Sequence, residues 1–289
     1  MSATTAPAAP AMPQRPSTLR LLLREPAAAG SLAVVLLAVL AAILAPVLAP
    51  FDPFETNLVA IMQPPGGEYL LGTDGQGRDM LSRLLFGLRV TLAMGAMALL
   101  LGGVLGVLIG FCAAYYRRLD GLLMRLMDVM LSFPAILFGL AIAAIFGPGV
   151  TAVVIALSVA TVPLMARIAR STALVVLGQD YIEAARAQGM GDARLIWRHL
   201  APNCLSPILV FATLRFGQVI LLGSALSFLG LGAQPPVAEL GAMASQGRTF
   251  LFFAPHISVI PSVAIFIIVL AFNVLGDALR DALDPRLRV

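Results

Sequence analysis

Long apolar runs separated by short polar segments divide this chain, and six of the runs approach the length that a bilayer requires. Gly30 to Leu48 is uncharged, close to the ~20 residues that cross a hydrocarbon core of about 30 Å. Val90 to Tyr116 carries no charge and is long enough to span with some tilt. Val129 to Ala166 is also uncharged, and Gly147-Pro148-Gly149 divides it into runs of 18 and 17 residues joined by a tight hairpin. Pro134 and Pro163 are expected to kink these two spans. Cys204 to about Leu226 is the fifth run and Ile257 to Gly276 the sixth. The pattern predicts an all-α polytopic membrane protein. Its parts are a disordered tail at 1–29, a first span at 30–49, a polar segment at 50–88, five further spans at 89–276 with a polar loop at 171–203, and a tail at 277–289.

That loop contains the longest polar interruption in the second half of the chain, Asp180 to Asn203. Asp180 followed three residues later by Glu183 is a capping-box pattern, which predicts a short helix through Ala187. Gly189 and Gly191 permit a sharp turn. Asp192 is expected to cap a second short helix, Ala193 to Leu200, ended by Pro202. Leu195, Ile196, His199 and Leu200 fall on one face of it, so it is amphipathic. Two helices of this size have no core of their own. Their apolar face must lie on the chain's own membrane helices, on lipid, or on another protein.

Composition agrees with a membrane class: of 289 residues, 60% are hydrophobic and 12% charged. The net charge of +4 comes from 19 Arg and no Lys. A phosphate-binding P-loop needs a Lys to reach the phosphates, so this chain cannot contain one. Cys112 and Cys204 have neither metal nor disulfide spacing and are expected to be small buried hydrophobes.

Fourteen of the Arg fall on one side of the six-span topology. They include Arg15, Arg20 and Arg24 in the tail, Arg117, Arg118 and Arg125 after the second run, and Arg167 and Arg170 before the loop. Arg78, Arg83, Arg89 and Arg248 fall on the other side. The positive-inside rule then places both termini and the loop in the cytoplasm. A cleaved leader does not suit the first run, which is longer than a usual leader core and has no small-x-small site before a soluble domain. Within the second run Ala98, Gly102, Gly106, Gly110 and Ala114 recur every four residues. Small residues on one stripe let two membrane helices approach closely. Arg215 stands near the middle of the fifth run, where a charge costs about 3 kcal/mol unless it faces a partner or water.

Glu183-Ala184-Ala185, three residues, Gly189, twelve residues and Pro202 together resemble the EAA loop of permease subunits in ATP-driven, ABC-type importers. Ala201 departs from the pattern, which usually has Leu there. Leu71 to Gly87, Leu226 to Pro236 and the tail Asp277 to Val289 resemble the dipeptide, oligopeptide and nickel branch, and within it the C-type permease; Leu240 stands where a Trp is common. The resemblance implies that Glu183, Ala184, Ala185, Gly189, Asp192 and Pro202 form the coupling element that docks on the ATPase. It implies a heterodimer with a second, similar permease, two ATPase subunits that carry ATP and Mg, and an extracytoplasmic solute-binding protein. Membrane lipids are the remaining partner, with no nucleic acid and no cofactor or metal in this chain. Asp74, Arg78, Asp79 and Arg83 have two readings: contacts for the binding protein, or an internally salt-bridged cap that closes the pore laterally. Arg215 also has two, lining the translocation path or pairing with the partner permease.

Substrates consistent with the resemblance are di- and oligopeptides, with nickel chelate, glutathione or another small solute as alternatives. A self-contained ion-coupled transporter would need carboxylates within the membrane, and Asp128 and Asp277 sit only at the ends of spans. An intramembrane hydrolase would need a nucleophile with a buried base, and the two histidines, His199 and His256, lie on opposite sides of the expected membrane.

Overall fold

The computed structural model describes residues 22, 23 and 25–283. Most of the tail expected at 1–29, with Arg15, Arg20 and Arg24, lies outside the described residues, as do residues 284–289 with Arg286 and Arg288. The first helix, α1, is Pro26–Ile43; it starts inside the expected tail because Pro26 has no N–H to lose at a first turn. A single turn, Ala45–Leu48, follows. The second helix, α2, spans Met80–Tyr115, 36 residues. It begins ten residues before the uncharged run because the Asp79 carboxylate accepts from the Ser82 N–H at 2.7 Å and caps it.

The third passage differs from expectation. The run from Val129 to Phe146 is no single kinked span: α3 is Arg117–Ser132 and α4 is Ala135–Phe146, with 87° between them. Phe133 is extended, as the residue before a proline tends to be, and Pro134 stops one helix and starts the next. At 1.5 Å per residue the 12 residues of α4 reach only about 18 Å, too short to cross alone.

Beyond the hairpin, α5 is Val150–Leu177 and runs through Pro163 and past Arg170, so residues 171–177 are helix rather than loop. Two short helices follow, α6 at Asp180–Ala187 and α7 at Asp192–Leu195. Pro202 does not end the second of these. Ile196–Leu200 forms a π turn, in which the Ala201 N–H donates to Ile196 O five residues back, and the chain continues directly into α8, Ala201–Phe228. Proline lacks the donor that would continue an α-ladder, and the wider turn absorbs that gap. The Asn203 side chain donates to the His199 carbonyl, one turn back, at 2.6 Å. A short helix, α9 at Leu240–Gly247, precedes α10 at His256–Leu283, which continues past the expected end of the last span. Among the described residues five helical rods are long and apolar enough to cross a membrane, or six spans if the bent α3–α4 pair is counted as one.

Packing centres on α2 against α5. A Cβ built on Gly106 would lie 2.6 Å from Val162 O and 2.7 Å from the Met165 Cβ, and one on Gly102 or Gly110 would overlap the Ser158 or Ala166 carbonyl. The stripe therefore meets a helix of the same chain. Similar contacts bind α8 to α10, where Gly276 lies against Leu214. They also wedge α9 between α8 and α10, where Cβ atoms on Gly241 and Gly247 would approach Ser224 O and Ser258 N within 2.6 and 2.5 Å.

Gly106→Leu should destabilise the subunit itself, by about 1–3 kcal/mol or more of overpacking, seen as a lower unfolding temperature and yield in detergent. Gly121→Ala, at a helical position with nothing within 4 Å, is the control and should be neutral or slightly stabilising. Equal stability of Gly106→Leu and wild type would show that this contact does not hold the two helices.

Candidate functional site

The polar loop folds as a helical hairpin docked on the rest of the chain. Ile182 of α6 and Leu195 and Leu200 beyond it are fully buried. They pack with Phe111 and Ala114 of α2, Ala169 and Ala173 of α5, and Cys204 and Ile208 of α8. Of the three surfaces that the apolar face required, the chain's own helices supply it. The opposite face is open: Tyr181, Glu183, Ala184, Arg186, Gly189, Asp192, Arg194, Trp197 and Arg198 are exposed, while Ala185 is buried. Pro202, last of the motif, stands in the first turn of α8.

Gly189 makes the turn. It follows the α6 C-cap at φ +77°, with its N–H donating to Arg186 O at 2.9 Å and the Met190 N–H to Ala185 O at 3.2 Å. This is the Schellman arrangement, and its left-handed residue favours glycine. The two expected side-chain caps do not form. Gln179 and Gly191 occupy the N-cap positions, and Asp180 and Asp192 are the first helical residues instead. There each still complements the helix dipole, and the Asp192 carboxylate is free to bond elsewhere. It accepts from Tyr115 OH at 2.7 Å and Tyr116 OH at 3.4 Å, while the Arg186 guanidinium lies over the Tyr115 ring at 5.3 Å. The hairpin is thus tied to the end of α2 by polar contacts as well as apolar ones.

Two ion pairs brace α3 against α5 near the same end. Arg170 donates to both oxygens of Asp120, at 2.5 and 2.6 Å, and Arg167 pairs with Asp128 at 2.5 Å. Met127 fills the space between them against Val162 and Ala166. In the sequence these Arg mark topology only; their partners lie about 40 to 50 residues away, where no local spacing signals them.

At the opposite end Asp74, Arg78, Asp79 and Arg83 are all buried, between 1% and 5% exposed. Arg78 Nε meets Asp74 at 2.7 Å, Arg83 Nε meets it at 3.3 Å, and Arg83 also donates to Pro53 O at 3.0 Å. These side chains face one another and the backbone, not the surface. A cavity of about 360 Å³ separates them from α9 and is lined also by Gln246, Thr249 and Phe250. Glu239, which no motif singles out, is 1% exposed. It accepts from Thr91 Oγ1 at 3.0 Å and from the Gly241 and Ala242 N–H groups at 2.9 and 2.8 Å, capping α9 and fastening it to α2. Its one signal was an isolated acid in an otherwise uncharged stretch.

Arg215 is half-buried midway along α8. Its Nη1 donates to Gln218 at 2.8 Å, its Nε is buried without a hydrogen-bond partner, and among the described residues no carboxylate pairs with it. No group of three or more His, Cys, Asp or Glu that could hold a metal ion occurs among the described residues.

Asp192→Asn should loosen the hairpin without undocking it, because Ile182, Leu195 and Leu200 remain buried. Asn replaces the charged acceptor for the two tyrosine hydroxyls with a weaker neutral one. Hydrogen exchange of α6 and α7 amides should therefore speed up about fivefold with α5 unchanged. Unaltered exchange would show that the tyrosine contacts do not hold the hairpin.

Comparison with known proteins gives consistent matches. A family model described as a binding-protein-dependent transport system inner membrane component matches residues 102–289. A second, the N-terminal TM domain of oligopeptide transport permease C, matches residues 17–65. The chain is 45% identical to a putative peptide transport system permease protein of Brucella suis, over 94% of this chain and 92% of that one. It is 45% identical to a glutathione transport system permease protein of Pectobacterium atrosepticum, over 78% of this chain and 75% of that one. It is 44% identical to a dipeptide transport system permease protein of Alkalihalophilus pseudofirmus, over 81% and 77%. The fold is similar to a chain of the inward-facing MetNI methionine ABC transporter, with a TM-score of 0.59 at 22% identity over 71% of this chain and 98% of that one.

Proposed function

Because the chain belongs to the family of binding-protein-dependent transport system inner membrane components, the permease subunits of ATP-driven importers, we propose that it passes di- or oligopeptides across the bacterial inner membrane. Support for a peptide-like solute comes from the relatives, whose names include peptide, dipeptide and glutathione transport. Glutathione itself is the second reading, favoured by the 45% identical relative of that name.

The observation that carries the mechanism is the hairpin with its apolar face docked on α2, α5 and α8 and its polar face open. Glu183, Ala184 and Gly189 stand on the open face. In this reading they meet the ATPase, with Ala185 and Pro202 shaping the element from behind and Asp192 anchoring it to α2. Closure of two ATPase subunits on ATP and Mg pushes the hairpin, and the push reaches three helices together because one apolar cluster joins them. Hydrolysis belongs to those subunits. Both termini and the hairpin face the cytoplasm, a second similar permease completes the pore, and the binding protein delivers solute at the opposite face. There the charge network of Asp74, Arg78, Asp79 and Arg83 holds the shape of the cap on which that protein sits.

Glu183→Lys and Gly189→Asp should leave the subunit assembled and uncouple it, with solute-stimulated ATP hydrolysis and uptake both falling at least tenfold in proteoliposomes. Wild-type rates for both variants would overturn the assignment of this face to the ATPase.

Arg215→Met separates two roles for the central guanidinium. A place on the pathway predicts intact assembly with reduced uptake. Pairing with the second permease predicts poor recovery of the heterodimer, since removing one member of a buried pair costs about 3–5 kcal/mol. Normal assembly and uptake together would exclude both.

A further inference from the structure

Arg89 opens a groove on the lateral face of the helix bundle that none of the contacts above employs. The groove has a volume of about 370 Å³ and is lined by Ile43 of α1, Ala93 and Ala96 of α2, Phe216 of α8 and Phe272 of α10, with Arg89 at one end. Ala93 and Ala96 lie four and seven residues after Arg89, on the same face of α2. Both are exposed, and their small side chains leave the slot open. Phe216 and Phe272, with ring centroids 4.4 Å apart, close its deep side. Arg89 is exposed and makes no ion pair among the described residues.

Depth decides what this arrangement suits. Arg89 stands 26 residues before Tyr115 on one continuous helix, about 39 Å at 1.5 Å per residue, or roughly 37 Å across the membrane at an average tilt of about 20°. The hydrocarbon core is about 30 Å thick and the bilayer with headgroups about 40–45 Å. With Tyr115 and Tyr116 at one interface, where tyrosines gather, Arg89 falls in the headgroup layer of the opposite one. Ile43, the last residue of α1, marks the same level. One cation at phosphate depth, with an uncharged slot running from it toward the membrane centre, has the polarity of a single phospholipid.

We propose that the Arg89 groove binds an anionic phospholipid, with the guanidinium on the headgroup phosphate and an acyl chain over Ala93 and Ala96 against the two phenylalanines. The planar guanidinium can donate two parallel N–H bonds to phosphate oxygens. A headgroup bearing its own ammonium offsets the phosphate charge, so phosphatidylglycerol is favoured over phosphatidylcholine. Occupancy would fasten α1, which touches the core along one side only, to α2 and α10.

The test uses the assembled, delipidated transporter in detergent, titrated with phosphatidylglycerol, phosphatidylcholine or inorganic phosphate and read by native mass spectrometry. Wild type should retain phosphatidylglycerol, and Arg89→Gln should weaken that retention about tenfold while Arg89→Lys keeps a good part of it. Ala93→Leu, which fills the slot without touching the charge, should lower retention of both lipids. The proposal is overturned if Arg89→Gln keeps phosphatidylglycerol as well as wild type does. It is likewise overturned if inorganic phosphate displaces the lipid at equal concentration, which would mark a bare anion site. Disulfide trapping of Ala93→Cys to the second permease would show a protein in the groove and would also sink it.

Discussion

Between two helices in lipid there is no water to expel, so their attraction depends on how closely the backbones approach. The contact of α2 with α5 is the limiting case in this chain. Gly102, Gly106 and Gly110 present no side chain, and the carbonyls of Ser158, Val162 and Ala166 occupy the space where one would stand. The rest of the fold is built outward from that line. The hairpin sits on one shared end of the two helices, α8 packs across them, and the ion pairs from α3 grip α5 at Arg167 and Arg170. Dense packing of this kind transmits displacement, because it has no slack in which to absorb it.

Much of this architecture is visible in the residue pattern because its determinants are local. Apolar runs locate most of the membrane helices, spacing locates the small-residue stripe, and Gly189 identifies its turn. What the pattern hides depends on competition between local and distant partners. Asp192 looks like a cap, yet its carboxylate goes to tyrosines about 75 residues earlier, at the end of α2. Pro202 looks like a stop, yet a π turn and the Asn203 amide carry the helix through it. Pro134 looks like a kink, yet α3 has its own amphipathic register and its own ion pairs, so the chain breaks there and turns by 87°.

The treatment of charge is consistent across the structure. Arg78 and Arg83, removed from solvent, lie against Asp74, and Glu239 accepts three hydrogen bonds. Burial of an ion without such partners would cost several kcal/mol. Arg215 is the departure: among the described residues its guanidinium has a hydrogen bond to Gln218 and no carboxylate partner. The exposed face of the hairpin, by contrast, keeps Glu183, Arg194 and Arg198 in solvent. Charge in the interior builds the scaffold, and charge on the hairpin remains available to another protein.

Trp197, the one tryptophan of the chain, lies on that open face and is 68% exposed. Its indole is therefore a fluorophore that the protein already carries where the hairpin meets its surroundings. Whatever covers the face must take water from that ring and move its emission toward the blue, whereas rearrangements confined to the membrane helices leave the colour unchanged. Engagement of the hairpin is in this way an optical property of the unlabelled subunit.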